Sequence, residues 1–321
     1  MLLSRHTRRR DVLGLLAIAN LGSRAWAQTR AHIGWLTIAP HPGIEGFRAG
    51  MRELGWVEGE TLIIDYAYGE GRPERMLELA VALANGPAQL VIASGSDAVV
   101  AARSAVTQKP VVAVSTGAAL GVGESLARRA GNFTGIALLF DQTAAKWVEM
   151  LSELLPRPGR LGVVHDSSIT NIEQFATVQR TASALGYEAV PFRVESAHGL
   201  EQAIASTRQE KVAGLIFVSS PIFTADAARL AILVQATGLP AVFESRWIVE
   251  KGGLMSYGPD FSAVFRRAAS LADRLLKGAK PADLPIEQPT QFYFTLNRAT
   301  ARALGFELPT ALLLRADEVI E

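Results

Sequence analysis

Cysteine is absent from the 321-residue chain. No disulfide framework is possible, so a hydrophobic core must hold the fold, and no thiol follows the N-terminal apolar run to take a lipid. Long hydrophobic runs are missing as well. Past the N-terminus no segment approaches 18 uncharged apolar residues, so no membrane-spanning helix is expected there. The signatures of catalysis are equally scarce. There is no Gly-x-Ser-x-Gly elbow and no Walker loop, and the segment Thr37-Ile38-Ala39-Pro40-His41-Pro42-Gly43 lacks the glycine spacing that a pyrophosphate needs. His32, His41, His165 and His198 are scattered singly, without a second ligand at metal-site spacing. Glu58 and Glu60 share a turn and read as solvated carboxylates. The expectation is a protein that is not an enzyme and that takes no cofactor and no metal.

What the chain does carry begins at its N-terminus. Arg8-Arg9-Arg10 precedes a short apolar run, Val12 to Leu21, and then Ala25-Trp26-Ala27. A basic segment, about ten apolar residues and a small-x-small site make a secretory signal peptide, cleaved after Ala27 and too short to span a bilayer. The arginine pair before Asp11-Val12-Leu13 resembles a twin-arginine signal, although the same arginines also serve general secretion. The expected location is the periplasm of a bacterium with an outer membrane. Over the whole chain 32 Lys+Arg face 31 Asp+Glu. Removing residues 1–27 takes away Arg5, Arg8, Arg9, Arg10 and Arg24 against Asp11, which leaves 27 basic and 30 acidic residues and a net charge of −3. Basicity therefore gives no case for a nucleic-acid partner or an anionic membrane surface.

The remaining residues, about 294, suit two domains. Apolar runs of four to eight residues alternate with amphipathic stretches. The runs fall at 32–36, 62–66, 89–93, 110–114, 135–139, 161–165, 189–194, 214–218, 240–243 and 254–257, and an extended segment follows at 291–296. Helical spacing recurs between them. Phe47, Met51 and Leu54 share one face, and Gly55 stops the helix. The stretches 74–84, 97–107, 143–155, 172–185, 225–236 and 261–276 read the same way. This alternation, with strands apolar on both sides, predicts an α/β fold of parallel sheets covered by helices on both faces. The expected division is one lobe from 28–139 plus about 258–285 and a second from 140–257 plus about 286–321, joined by a multi-strand hinge.

Several blocks resemble one family. They are Gly252-Gly253-Leu254-Met255-Ser256-Tyr257-Gly258-Pro259-Asp260, Phe265-Arg266-Arg267-Ala268-Ala269, Leu276 to Pro285, and the tail Leu313 to Ile320. Ile44 to Met51 with Leu54 to Glu60 is similar to that family's first helix and turn, and Gly131 to Gly135 to its first crossing segment. The family is that of the periplasmic substrate-binding components of ABC transporters, relatives of the tryptophan- and tyrosine-type binding proteins. The resemblance implies a type I periplasmic binding fold: two Rossmann-like lobes, three crossovers and a ligand in the cleft between them. The implied partners are a small-molecule solute and an ABC permease in the inner membrane, with the protein itself a monomer.

In open α/β sheets ligands sit at the carboxyl ends of strands, near helix N-termini that suit anions. Ser94 and Ser96, in Ser94-Gly95-Ser96-Asp97, are placed to hold a carboxylate or simply to cap a helix. Ser115 and Thr116 stand at the same level one strand on; the family often has Asp-Pro where this chain has Thr116-Gly117. Thr37 and His41 follow the first strand, with His41 read chiefly as a loop residue. In the second lobe Asp166, Ser220, Glu244 and Arg246 end strands, where the family has Asn-Pro in place of Asp166-Ser167 and Asp in place of Ser220. Asp166 or Glu244 is expected to receive an ammonium and Arg246 to clamp a carboxylate, unless Glu244 and Arg246 form a local ion pair. Tyr257 either stacks on the ligand or lines the hinge. The expected function is an importer's receptor for an amino acid or related carboxylate. The alternatives are a sensory receptor of the same fold and an exported α/β enzyme.

Overall fold

The computed structural model describes residues 30–116, 131–138, 140–194 and 199–321. The expected signal peptide, Gly117 and the side chain of Thr116 lie outside the described residues.

The apolar runs become the strands of two sheets. In the first sheet β1 (Ala31–Thr37), β2 (Leu62–Tyr68), β3 (Leu90–Ser94), β4 (Val111–Thr116) and β5 (Phe133–Leu138) lie in the order β2-β1-β3-β4-β5, all parallel. Alternate side chains serve opposite faces, as strand geometry requires. Ile33, Trp35, Val112 and Val114 join one core, while Leu36, Val111 and Ala113 join the other. The first core is closed by α1 (Gly43–Glu53), the second by α2 (Met76–Asn85) and α3 (Ser96–Ala105).

The second sheet is built from β6 (Arg160–His165), β7 (Glu188–Arg193), β8 (Gly214–Phe217), β9 (Ala241–Phe243), β10 (Met255–Pro259), β11 (Phe292–Asn297) and β12 (Glu318–Ile320). Their order is β12-β11-β10-β9-β8-β6-β7. Helix α4 (Phe140–Ser152) leads into it from β5, and α5 (Ile169–Ala184), α6 (Leu200–Ser206), α7 (Pro221–Ala225), α8 (Ala227–Gln235) and α9 (Arg246–Val249) follow its strands.

One pairing departs from the all-parallel expectation: β10 and β11 are antiparallel, with Pro259 opposite Phe292. The chain leaves β10 for the first lobe and returns beside its point of exit, so the returning strand must run the other way. The visit between them is α10 (Phe261–Leu276), capped by Asp260, whose Oδ1 accepts the Ala263 N–H at 3.1 Å. Phe261, Val264, Phe265, Ala268, Leu271, Ala272 and Leu275 give it one apolar face. That face lies on α1, where glycines permit the approach: a Cβ on Gly50 would stand 2.8 Å from the Ala269 Cβ. After α10, Glu287 still pairs with the first sheet, donating its N–H to the Gly135 carbonyl at 2.9 Å. Arg267 of α10 grips the Glu287 carboxylate through Nε and Nη2, both at 2.5 Å. The return to the second sheet therefore runs through residues 288–291.

Other departures are local. The helix expected over 225–236 breaks at Asp226, whose carboxylate caps α8 at the Arg229 N–H, 3.0 Å. Short helices α6, α9, α11 (Arg298–Ala303) and α12 (Thr310–Arg315) were not expected, because fewer than two turns leave no readable periodicity. Gly131-Asn132 leads into β5, so the crossing to the second sheet follows β5 rather than preceding it.

Candidate functional site

The carboxyl ends of β1, β3, β4, β6, β8 and β9 face a common cleft of about 630 Å³, counting its open mouth. Ligand sites of small solutes fall at this end of parallel sheets.

On the first lobe the loop between β3 and α3 is the central element. Gly95 takes a left-handed φ of +88° at the N-cap of α3, where among the described residues no side-chain cap is formed. The helix thus presents its N-terminal end to the cleft without the usual hydroxyl or carboxylate cap. Ser94 is buried against His41. The Gly43 N–H donates to His41 Nδ1 at 3.2 Å, which assigns the remaining proton to Nε2, 2.9 Å from Ser94 Oγ. With its oxygen accepting from His41, Ser94 retains its own hydroxyl proton for a further acceptor. Burial lowers the His41 pKa to about 4, so the ring is neutral. The Ser96 and Ser115 hydroxyl oxygens lie 3.1 Å apart. Asp97 also lines the cleft; burial first, and the Asp166 carboxylate second, push it up to about 6.

The second lobe supplies acceptors. Asp166 is buried, with Oδ1 accepting the Ser168 N–H at 2.8 Å and Oδ2 accepting the Ser220 hydroxyl at 2.7 Å. Asn171 ties the neighbouring loops together, accepting from the Asp166 N–H at 2.8 Å and donating to the Ser219 carbonyl at 2.6 Å. Ser220 caps α7 at the Ile222 N–H, 3.2 Å. Glu244 directly follows β9 and is buried, and its Oε2 has no hydrogen-bond partner among the described residues. Burial raises its pKa to about 7, against a smaller lowering by a hydrogen bond with Ser219. Aromatic rings complete the wall: Trp247 stands 5.4 Å from Phe261, and Phe265 5.3 Å from His41. The lobes meet at the cleft, where a Cβ on Gly95 would lie 3.3 Å from Pro221 Cγ.

Ser94, Ser96, Ser115, Asp166 and Glu244 therefore come together around one space, and Ser220 supports it through Asp166. Three expected contacts do not reach it. Arg246 is drawn instead to Glu250 at 2.8 Å and Glu318 at 3.2 Å, so it forms neither a clamp in the cleft nor an ion pair with Glu244. Thr37 is fully buried and donates to the Ala39 carbonyl at 3.3 Å. Tyr257 lies within β10 opposite Phe294, its ring 6.1 Å from that of Phe292. For Thr116 only the backbone is described, paired with Leu138 at the end of β4. The structure places His41 on the cleft wall and adds Asp97, Ser168, Trp247, Phe261 and Phe265. Asp97 adjoins the Ser-Gly-Ser loop, and Phe261 and Phe265 stand one turn apart at the start of α10; those spacings were the available signals.

Residues 36–320 match the family model described as "ABC transporter substrate binding protein". The chain belongs to this family. Its members are binding proteins of transporters rather than enzymes. A tyrosine-binding protein of Clostridioides difficile is 22% identical over 298 residues, covering 90% of this chain and 85% of that protein. Among solved structures, a conserved domain protein from Vibrio cholerae superposes with a TM-score of 0.81 at 21% identity, over 91% of this chain and 100% of that one. A Streptococcus ABC domain in complex with L-Trp gives a TM-score of 0.77 at 24% identity, over 90% and 100% of the two chains. These likenesses give the ABC transporter substrate-binding protein its two-lobed type I fold. Among its described residues no helix is long and apolar enough to cross a membrane, and no three His, Asp or Glu side chains group as a metal site.

Proposed function

We propose that this protein is the exported, periplasmic receptor of an ABC importer and that it captures an amino acid in the cleft by closing its lobes upon it. The observation that carries this reading is the opposition of donors and acceptors across the cleft. The first lobe offers the Ser94 and Ser96 hydroxyls and the uncapped N-terminus of α3. The second offers the Asp166 and Glu244 carboxylates. A solute with a carboxylate at one end and an ammonium at the other spans both, while Trp247, Phe261 and Phe265 cover its apolar part. A tyrosine-binding relative and an L-Trp complex of the same fold support the amino-acid class.

Such a solute binds the closed state better than the open one, because only closure brings both sets of groups to it; that difference in affinity is what shifts the population. The lobes divide at the three crossings, so the hinge consists of the chain after β5, the step from β10 to α10, and residues 288–291. The N-terminal segment directs the protein to the periplasm, where it acts as a monomer that hands its solute to the permease. A thermal-shift screen of amino acids and small acids tests the reading. One class should raise the Tm by mass action, and Ser94→Ala with Ser96→Ala should abolish that rise. A full rise in the double variant would remove the loop from the site.

A further inference from the structure

We propose that the cleft is built for solutes of net positive charge, held by an ammonium group between Asp97 of the first lobe and Asp166 and Glu244 of the second. The inference rests on the cleft being the solute site and narrows the class of solute.

The charge of the wall is one-sided. Asp97, Asp166 and Glu244 line the cleft, and no lysine or arginine does so among the described residues. His41 is the remaining titratable group on the wall, and burial keeps it neutral. Arg246, the cation nearest in sequence, is committed to Glu250 and Glu318. A zwitterion brings one charge of each sign and leaves three carboxylates as unbalanced as before. A solute of net +1 offsets part of them.

The three carboxylates are not equally provided for. Asp166 accepts from the Ser168 N–H and the Ser220 hydroxyl, so it is satisfied within its own lobe. Glu244 is not: its Oε2 is buried on the cleft wall and lacks a donor among the described residues. A buried carboxylate oxygen without a donor calls for one from the ligand. Asp97 and Asp166 belong to opposite lobes, and their mutual repulsion contributes to the raised pKa of Asp97. Closing the empty cleft pushes like charges together. A cation set between them converts that repulsion into an attraction that holds the lobes shut.

Titration calorimetry on the purified full chain tests this with two matched pairs. Tyramine and L-tyrosine differ by the carboxylate; L-lysine and L-norleucine differ by the side-chain ammonium. The expected result is that at least one cation binds about tenfold or more tighter than its zwitterionic partner. Tyramine alone binding points to amines without a carboxylate, and lysine alone to dibasic amino acids. Asp97→Asn, which keeps shape and removes charge, should reduce that preference while the unliganded Tm is retained. Equal or tighter binding of the zwitterion in both pairs overturns the charge selectivity and leaves the amino-acid receptor standing. No binding by any of the four overturns the selectivity as well, and the broader thermal screen then decides the receptor reading by itself.

Discussion

Gly95 and Pro221 belong to different lobes, yet a Cβ on Gly95 would come within 3.3 Å of Pro221 Cγ. The loop that presents Ser94 and Ser96 is thus also a contact point of the closed cleft. Gly95 holds φ at +88°, a conformation that side-chain-bearing residues rarely adopt. Gly95→Val should therefore lower stability by about 1–3 kcal/mol and weaken solute binding more than Pro221→Ala does. Denaturant melts and calorimetric titration of the two variants provide the comparison.

Glu244 sets a pH dependence. Its pKa rises from 4.5 unfolded to about 7 folded, because burial disfavours the charged form. The unfolded chain releases this proton first, so the native state loses stability as pH climbs from about 4.5 to about 7. The change due to this group is about 3 kcal/mol, taken from the pKa difference. Glu244→Gln should flatten this part of the stability curve. Urea melts at a series of pH values measure the difference, and parallel curves for both proteins would refute the assignment.

Cation binding favours the ionised forms of Asp97 and Glu244, whose pKa values in the unliganded cleft are about 6 and about 7. Binding should therefore release protons near pH 6.5, and affinity should increase from pH 5.5 to pH 8. Calorimetry in buffers of different ionisation enthalpy reads the proton count directly. Uptake of protons would reverse the sign and contradict the account. His41, neutral throughout this range, contributes nothing to it.

The two long helices of the first lobe lean on Gly50, where a Cβ would lie 2.8 Å from Ala269 and 3.0 Å from the Arg266 Cα. Gly50→Val should destabilise the protein by about 1–3 kcal/mol through overpacking. Its solute affinity, measured below the melting transition, should remain close to that of the parent.

Arg246→Ala checks the carboxylate clamp that the sequence led one to expect. Its partners Glu250 and Glu318 are partly exposed, and such pairs contribute about 0–1 kcal/mol. Solute affinity should be unaffected by the substitution, whereas a loss of tenfold or more would bring Arg246 back into the site.

The strands were legible because parallel strands buried on both faces leave continuous Val- and Ile-rich runs, as at Leu90–Ser94 and Val111–Thr116. Antiparallel β11 was expected to be extended but not to reverse direction, since direction depends on where α10 returns the chain. The strand-end rule brought Ser94, Ser96, Ser115, Asp166 and Glu244 to one cleft wall, as sheet geometry requires. It did not show where Arg246 turns, because from the first position of α9 this side chain reaches Glu250, one turn further on. It read His41 chiefly as a loop residue and passed over Phe265, because their contact joins a loop of residues near 40 to a helix more than 200 residues later. No local pattern encodes such a meeting; only the helix returning through Gly46 and Gly50 produces it.

Glu244→Gln offers the most direct test of the central claim, since Oε2 of this side chain is engaged by no other described residue. Calorimetric titration with the solute identified in the thermal screen should show affinity reduced at least about tenfold, with the fold retained. Unchanged affinity in this variant would contradict the account, because the solute would then not be held by Glu244 in the cleft.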